Sequence, residues 1–135
     1  MNKNFHIFSS KLEVIYNQSE IGAKCELRAK RNVILVVGRL EKIKQQWHAI
    51  KAFRYISERV PDSELWIAGN GPDEEKLKNL ACSLKIENKV RFLGYVKDIG
   101  KLYFEAKILM MTSKSEAFPC VAVEALSHEI GRAHV

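Results

Sequence analysis

From Asn32 onward the apolar positions alternate between two rhythms. Asn32-Val-Ile-Leu-Val-Val-Gly38 is a continuous apolar run closed by glycine, which predicts a strand buried on both faces, as in parallel sheets. Gln46 to Val60 then places Trp47, Ile50, Phe53, Ile56 and Val60 three and four apart, an amphipathic helix stopped by Pro61. Ser63 to Ala68 reads as the next strand, broken at Gly69-Asn-Gly-Pro72. Asp73 then caps a helix whose inner face is Leu77, Leu80, Ala81 and Leu84. Lys89 to Leu93 is a third strand closed by Gly94. A short helix spans Asp98 to Ala106, a fourth strand Lys107 to Met111, and a last helix starts near Pro119, whose missing N–H costs nothing in a first turn. Strand and helix alternate throughout. The expected fold is therefore α/β: a Rossmann-like parallel sheet with right-handed crossovers and helices on both faces.

Before Asn32 the rhythm weakens. Leu12 to Tyr16 could form a short strand, while Gln18 to Arg31 is polar and basic without a clear period. Length and composition narrow the class. At 135 residues, a chain with 47% hydrophobic and 28% charged residues can build one soluble core but not a two-domain enzyme. The longest apolar run, Val33 to Val37, is far short of the roughly 20 residues that cross a bilayer, and nothing at the start reads as a signal peptide. A cytoplasmic location is expected. Cys25, Cys82 and Cys120 are odd in number and widely spaced, which favours reduced thiols over a disulfide framework or a zinc site. The net charge of +6 comes from Lys and Arg spread along the chain, so charge alone selects no partner.

In open α/β sheets ligands sit beyond the carboxyl ends of the strands, so the residues following each apolar run matter most. Gly38, Arg39 and Lys44 follow the first strand. A planar guanidinium and a mobile ammonium beside a flexible glycine suit a diphosphate; solvated loop charges at Arg39, Lys42 and Lys44 are an equally good reading of the pattern alone. Gly69-Asn-Gly71 lacks the third glycine of a dinucleotide fingerprint, since position 74 is Glu74, and reads better as a simple turn. After the fourth strand, Glu116 precedes the last helix and Glu124 lies about two turns into it. Carboxylates pair well with sugar hydroxyls, and the start of that helix offers N–H groups to a phosphate. By spacing alone, two solvated glutamates explain the pattern better.

Taken together, Val37-Gly-Arg-Leu40 with Lys44, Phe53, Pro61 to Leu65, Ala68 to Pro72, Val90 to Gly94, and Ser115 to Pro119 with Glu124-Ala-Leu126 resemble the donor-binding domain of glycosyltransferase family 4, enzymes of the two-lobed GT-B fold. Leu12 to Asn17 looks like the segment by which the chain of such enzymes enters that lobe. The resemblance implies retaining transfer of a sugar from a nucleoside-diphosphate sugar, a substrate rather than a cofactor, with no metal. At the matching motif positions, Arg39 and Lys44 would hold the diphosphate beside Gly38, and Glu116 would contact the donor sugar. Glu124 would take the ribose hydroxyls. The backbone at Ala117, Phe118, Pro119 and Cys120 would help with sugar and phosphate, and Gly94-Tyr95 would lie near the base. The catalytic set is thus Arg39, Lys44 and Glu116. Gln45 and Ala117 depart from the family pattern, standing where it commonly has glycine; Ala117 would be strained if a positive φ were needed there.

The resemblance divides the chain into a lead-in from a missing acceptor lobe (1–31), a partial donor-binding domain (32–128) and a tail (129–135). The tail, Glu129 to Val135, resembles the translation of a sequencing-library adapter, so the chain is expected to be a fragment that turns over poorly alone. Its sheet is expected to end at the fourth strand with an unpaired edge. The expected partners are the nucleotide-sugar donor and a sugar, lipid or protein acceptor held mainly by the missing lobe, at the inner membrane face if the basic surface meets anionic lipid. An epimerase or phosphorylase-like lobe, or a nucleotide-binding module without catalysis, are the competing readings. Nucleic acid is not expected, because no helix-turn-helix, zinc-finger or aromatic RNA-binding signature is present.

Overall fold

The computed structural model describes residues 31–115, 120–127 and 131–134. The lead-in at Leu12 to Asn17 lies outside the described residues. So do Glu116, Ala117, Phe118 and Pro119. The elements run β1 (Arg31–Val37), α1 (Gln46–Arg59), β2 (Glu64–Ala68), α2 (Glu74–Ser83), β3 (Val90–Gly94), α3 (Ile99–Glu105), β4 (Ala106–Met111), α4 (Cys120–Ser127) and β5 (Gly131–His134). The sheet order is β3-β2-β1-β4-β5, with every pair parallel.

This order follows from burial. Alternate residues of the apolar run in β1 point to opposite faces, so each face needs its own helices. On one face Ala49, Ile50 and Phe53 of α1 and Leu77 and Ala81 of α2 pack with Ile34, Val36, Leu65 and Ile67. On the other, Tyr103 of α3 and Ala125 of α4 pack with Val33, Leu35, Trp66 and Leu109. Burying a side chain such as Phe53 contributes about 1.5–3 kcal/mol, and both layers are filled by residues of this kind. Near the amino-terminal ends of the strands, Glu64 ties three of them together. Its carboxylate accepts from Arg31 of β1 (3.0 Å) and from the Trp66 indole (2.8 Å), and lies 2.9 Å from Arg91 of β3. The Arg31 contact extends β1 one residue beyond the apolar run.

Several expectations need correction. Trp47 belongs to the outer surface of α1, 37% exposed, stacked on His48 with the Lys51 ammonium 4.9 Å from its ring centroid. Val60 lies past the helix, and its N–H donates to Ile56. Asp73 makes no side-chain cap; its carboxylate pairs with Lys76 at 3.1 Å. Lys89 falls in a 3-10 turn, Glu87–Lys89, and the third strand begins at Val90. The edge of β4 is not left unpaired: β5 joins it in register from Ile108↔Gly131 to Met111↔His134. An open strand edge offers a row of N–H and C=O groups, and a short extended segment satisfies them whatever its side chains.

Candidate functional site

The strand order reverses direction at β1: the chain moves outward through β2 and β3, then returns to place β4 on the other side. Such a switch opens a crevice at the carboxyl ends of the two central strands. Two cavities lie there. The smaller, about 240 Å³, is lined by residues including Gly38, Arg39, Lys44, Gln46, Thr112 and Cys120. The larger, about 550 Å³, lies toward β2 and β3, where Val37, Ala68, Val96 and Ile99 form apolar walls with Gly69 and Tyr95. Gly38 and Arg39 border both.

The loop from Gly38 to Gln45 is fixed from three sides. Toward β2, the Gly38 N–H donates to the Ala68 carbonyl (3.0 Å) and the Leu40 N–H to that of Asn70 (2.9 Å), while the Leu40 carbonyl accepts from the Asp73 N–H (3.1 Å). Toward β4, the Thr112 hydroxyl donates to the Lys44 carbonyl (2.9 Å) and the Lys114 N–H to that of Ile43 (2.9 Å). From α1, the buried Gln46 amide donates to the Arg39 carbonyl (2.8 Å). The two loops touch so closely that a Cβ on Gly69 would sit 2.0 Å from the Gly38 oxygen, and one on Gly71 2.1 Å from the Leu40 oxygen. These glycines are more than a simple turn: they permit the contact of two backbones. The Gly69 N–H also donates to Gly94 (2.7 Å), whose φ of +65° turns the chain toward Tyr95.

Among the described residues, positive charge reaches the smaller cavity from backbone as well as side chain. α1 starts beside it at Gln46 and α4 at Cys120, and neither helix has an acidic residue in its first turn, whereas α2 has Glu74 and Glu75. Helix N-termini carry partial positive charge that such acids would otherwise offset. No acidic side chain is among the described residues lining either cavity. Arg39 lies 3.6 Å from Glu41, but both side chains are more than a third exposed, so solvent weakens that pair and a dianion could displace it.

The sequence-predicted residues thus fall into three groups. Gly38, Arg39, Lys44 and Cys120 meet at the smaller cavity, and Tyr95 joins Gly38 and Arg39 at the larger. Gly94 turns the chain beneath Tyr95 without lining either. Glu124 lines neither: its carboxylate accepts a 3.2 Å hydrogen bond from the Tyr103 hydroxyl. Glu116, Ala117, Phe118 and Pro119 lie outside the described residues. Gln45, one of the departures from the family pattern, has φ +50° and ψ +38°, a conformation that glycine adopts without strain. Sequence reasoning missed Gln46, Asn70 and Thr112, which hold the loop; the only signal was the place of Asn70 and Thr112 just after apolar runs.

The chain matches the family model for glycosyl transferases, group 1, over residues 17–130. It is 32% identical over 130 residues to the N-acetylgalactosamine-N,N'-diacetylbacillosaminyl-diphospho-undecaprenol 4-alpha-N-acetylgalactosaminyltransferase of Campylobacter jejuni, covering 93% of this chain and 35% of that one. Among solved structures, a mutant of S. aureus TarM in complex with Fondaparinux, alpha-GlcNAc-glycerol and UDP superposes with a TM-score of 0.85 at 17% identity, covering 90% of this chain and 25% of that one. Anabaena HepE in complex with UDP and glucose gives 0.70 at 26% identity, covering 76% and 29%. The chain spans between 14% and 35% of the length of the curated relatives named in these comparisons.

Proposed function

The chain belongs to the group 1 glycosyl transferases, and from that premise we propose that the switch-point crevice binds a nucleoside-diphosphate sugar whose glycosyl group passes to an acceptor hydroxyl with retention and without a metal. The observation that carries this reading is the meeting of Arg39 and Lys44 at one cavity flanked by the starts of α1 and α4. When the bond from the anomeric carbon to the diphosphate oxygen breaks, negative charge builds on the leaving group. Two cations and two helix ends already in place stabilise that charge more in the transition state than in the ground state.

Of the remaining roles, that of the base follows a cavity, and those of the two glutamates follow their places in the family pattern. The larger cavity, with apolar walls and the exposed Tyr95 ring, suits the flat base. Glu124 would take the ribose hydroxyls and Glu116 the donor sugar, with the backbone near Cys120 assisting at the phosphates. The chain would act as the donor-binding lobe, the acceptor being held mainly by a second lobe. HepE binds UDP and glucose, and the Campylobacter relative acts on a diphospho-undecaprenol-linked sugar. A uridine diphosphate donor and a lipid-linked acceptor of cell-surface glycan assembly at the inner membrane face are the corresponding proposal here.

Calorimetric titration of the full chain with UDP, GDP and ADP and their sugars tests the reading. Binding of one of them, weakened at least tenfold by Arg39→Ala or Lys44→Ala with the unfolding midpoint unchanged, is expected. Absence of binding by any of them, or binding indifferent to both substitutions, refutes it.

A further inference from the structure

Tyr103 has no place in the functional roles assigned so far, yet its surroundings are unusual. The ring is fully buried among Val33, Leu35, Trp66 and Leu109, and a phenol hydroxyl without a partner in such a layer would cost about 1–3 kcal/mol. Its partner is the carboxylate of Glu124, on a different helix and 21 positions along the chain. A carboxylate at the edge of an apolar layer has its own desolvation cost, so stability alone is a weak account of the pair, and a role in the neighbouring site is the alternative.

Its position says what that role is. Ile99, four residues before Tyr103 on α3, lines the larger cavity; Cys120, four before Glu124 on α4, lines the smaller. Residues four apart share a helix face. The Tyr103–Glu124 bond therefore lies one helical turn inward of both cavities, at the seam where α3 meets α4. An arm of this kind on a short helix would otherwise sample several rotamers. We infer that Tyr103 is a positioning residue: its hydroxyl fixes the rotamer of Glu124, so that the carboxylate meets the vicinal hydroxyls of a nucleotide ribose without first being ordered. This rests on the proposed donor-binding reading and adds a residue to it. The arrangement is the one by which buried groups hold a ligand-contacting side chain in working geometry.

The test uses Tyr103→Phe, which removes one oxygen and keeps the packed ring, in the full chain. Affinities for whichever nucleoside diphosphate binds, and for its 2′,3′-dideoxy analogue, are measured by calorimetry on both proteins. Positioning through Glu124 predicts a five- to tenfold loss for the ribonucleotide and less than a twofold change for the analogue, which lacks the hydroxyls. Glu124→Gln should remove the ribose preference and make a further Tyr103→Phe change silent. A merely structural role would weaken both ligands alike, and that result, or no loss for either, overturns the inference while leaving Arg39- and Lys44-dependent binding intact. Failure of the parent protein to bind any nucleotide overturns the donor reading and the inference with it. Circular dichroism and the urea midpoint of Tyr103→Phe establish that the variant is folded; Tyr103→Trp, too large for the site, should lose both ligands through misfolding and serves as the contrast.

Discussion

The side-chain amide of Gln46 donates a 2.8 Å hydrogen bond to the backbone carbonyl of Arg39, reaching back over the loop that separates them. The amide is buried, so the carbonyl depends on it rather than on water. Gln46→Leu keeps the volume and removes the donor. It should lower unfolding free energy by about 1–3 kcal/mol and weaken the proposed donor binding at Arg39 and Lys44. Urea denaturation reads the first effect and calorimetry the second; unchanged stability would remove Gln46 from the account of the loop.

The three glycines around this loop should differ in tolerance. Gly69→Ala drives a Cβ to 2.0 Å from a backbone oxygen at φ +142°, so steric overlap and backbone strain combine to about 3 kcal/mol or more. Gly71→Ala suffers the overlap without a positive φ. Gly38→Ala meets nothing nearer than Lys44 Cδ at 4.0 Å and should cost only its φ strain, about 1–2 kcal/mol. Urea midpoints of the three alanine variants give the order, and Gly38→Ala proving the worst would contradict it.

α2 ends in a six-residue cap in which the Lys85 N–H donates to Cys82 (2.9 Å) and that of Ile86 to Ala81 (3.1 Å), with Lys85 itself at φ +58°. Glycine is the usual occupant of that position. Lys85→Gly should stabilise by about 0.5 kcal/mol, because relief of the left-handed strain slightly exceeds the extra freedom glycine has when unfolded. Gln45→Gly should behave likewise. A drop in thermal midpoint for Lys85→Gly would show that the lysine makes a compensating contact.

Burial, reinforced by the Glu124 carboxylate, holds the Tyr103 phenol well above its ordinary value near 10. The folded state therefore keeps a proton that the unfolded chain releases above about pH 10. The stabilisation is complete below that pH and declines as pH rises further. Parent protein and Tyr103→Phe, compared by urea midpoint from pH 8 to 11, should differ by a constant amount up to about pH 10 and converge beyond it. Parallel curves across the whole range would exclude a buried neutral phenol.

The succession of elements was readable because each buried strand leaves a compact apolar run and each helix a three-four spacing, as Val33 to Val36 and Ile50 with Phe53 show. Boundaries slipped where a single contact decided them, as with Arg31 on Glu64. Trp47 had the spacing of a core residue, yet its ring lies on His48 at the surface, and spacing cannot tell a packed aromatic from one covered by its own helix. The site was legible only in part. Gly38, Arg39 and Lys44 stood out as charge and flexibility after a strand, whereas Gln46 and Thr112 each donate to one distant carbonyl and the Asn70 carbonyl accepts from the distant Leu40 N–H, single bonds that leave no periodic trace. The pairing of Glu124 with Tyr103 joins two helices, and nothing in either segment alone announces it.

Because neighbours on three sides dictate the course of residues 38–45, that stretch behaves like a bracket of set span. Exchanging its exposed side chains should alter which ligand the proposed site prefers while leaving the loop's path unchanged. Adding one residue would push the bonds to Asn70 and Thr112 out of step together, so new specificities are reachable here by replacement and closed to insertion.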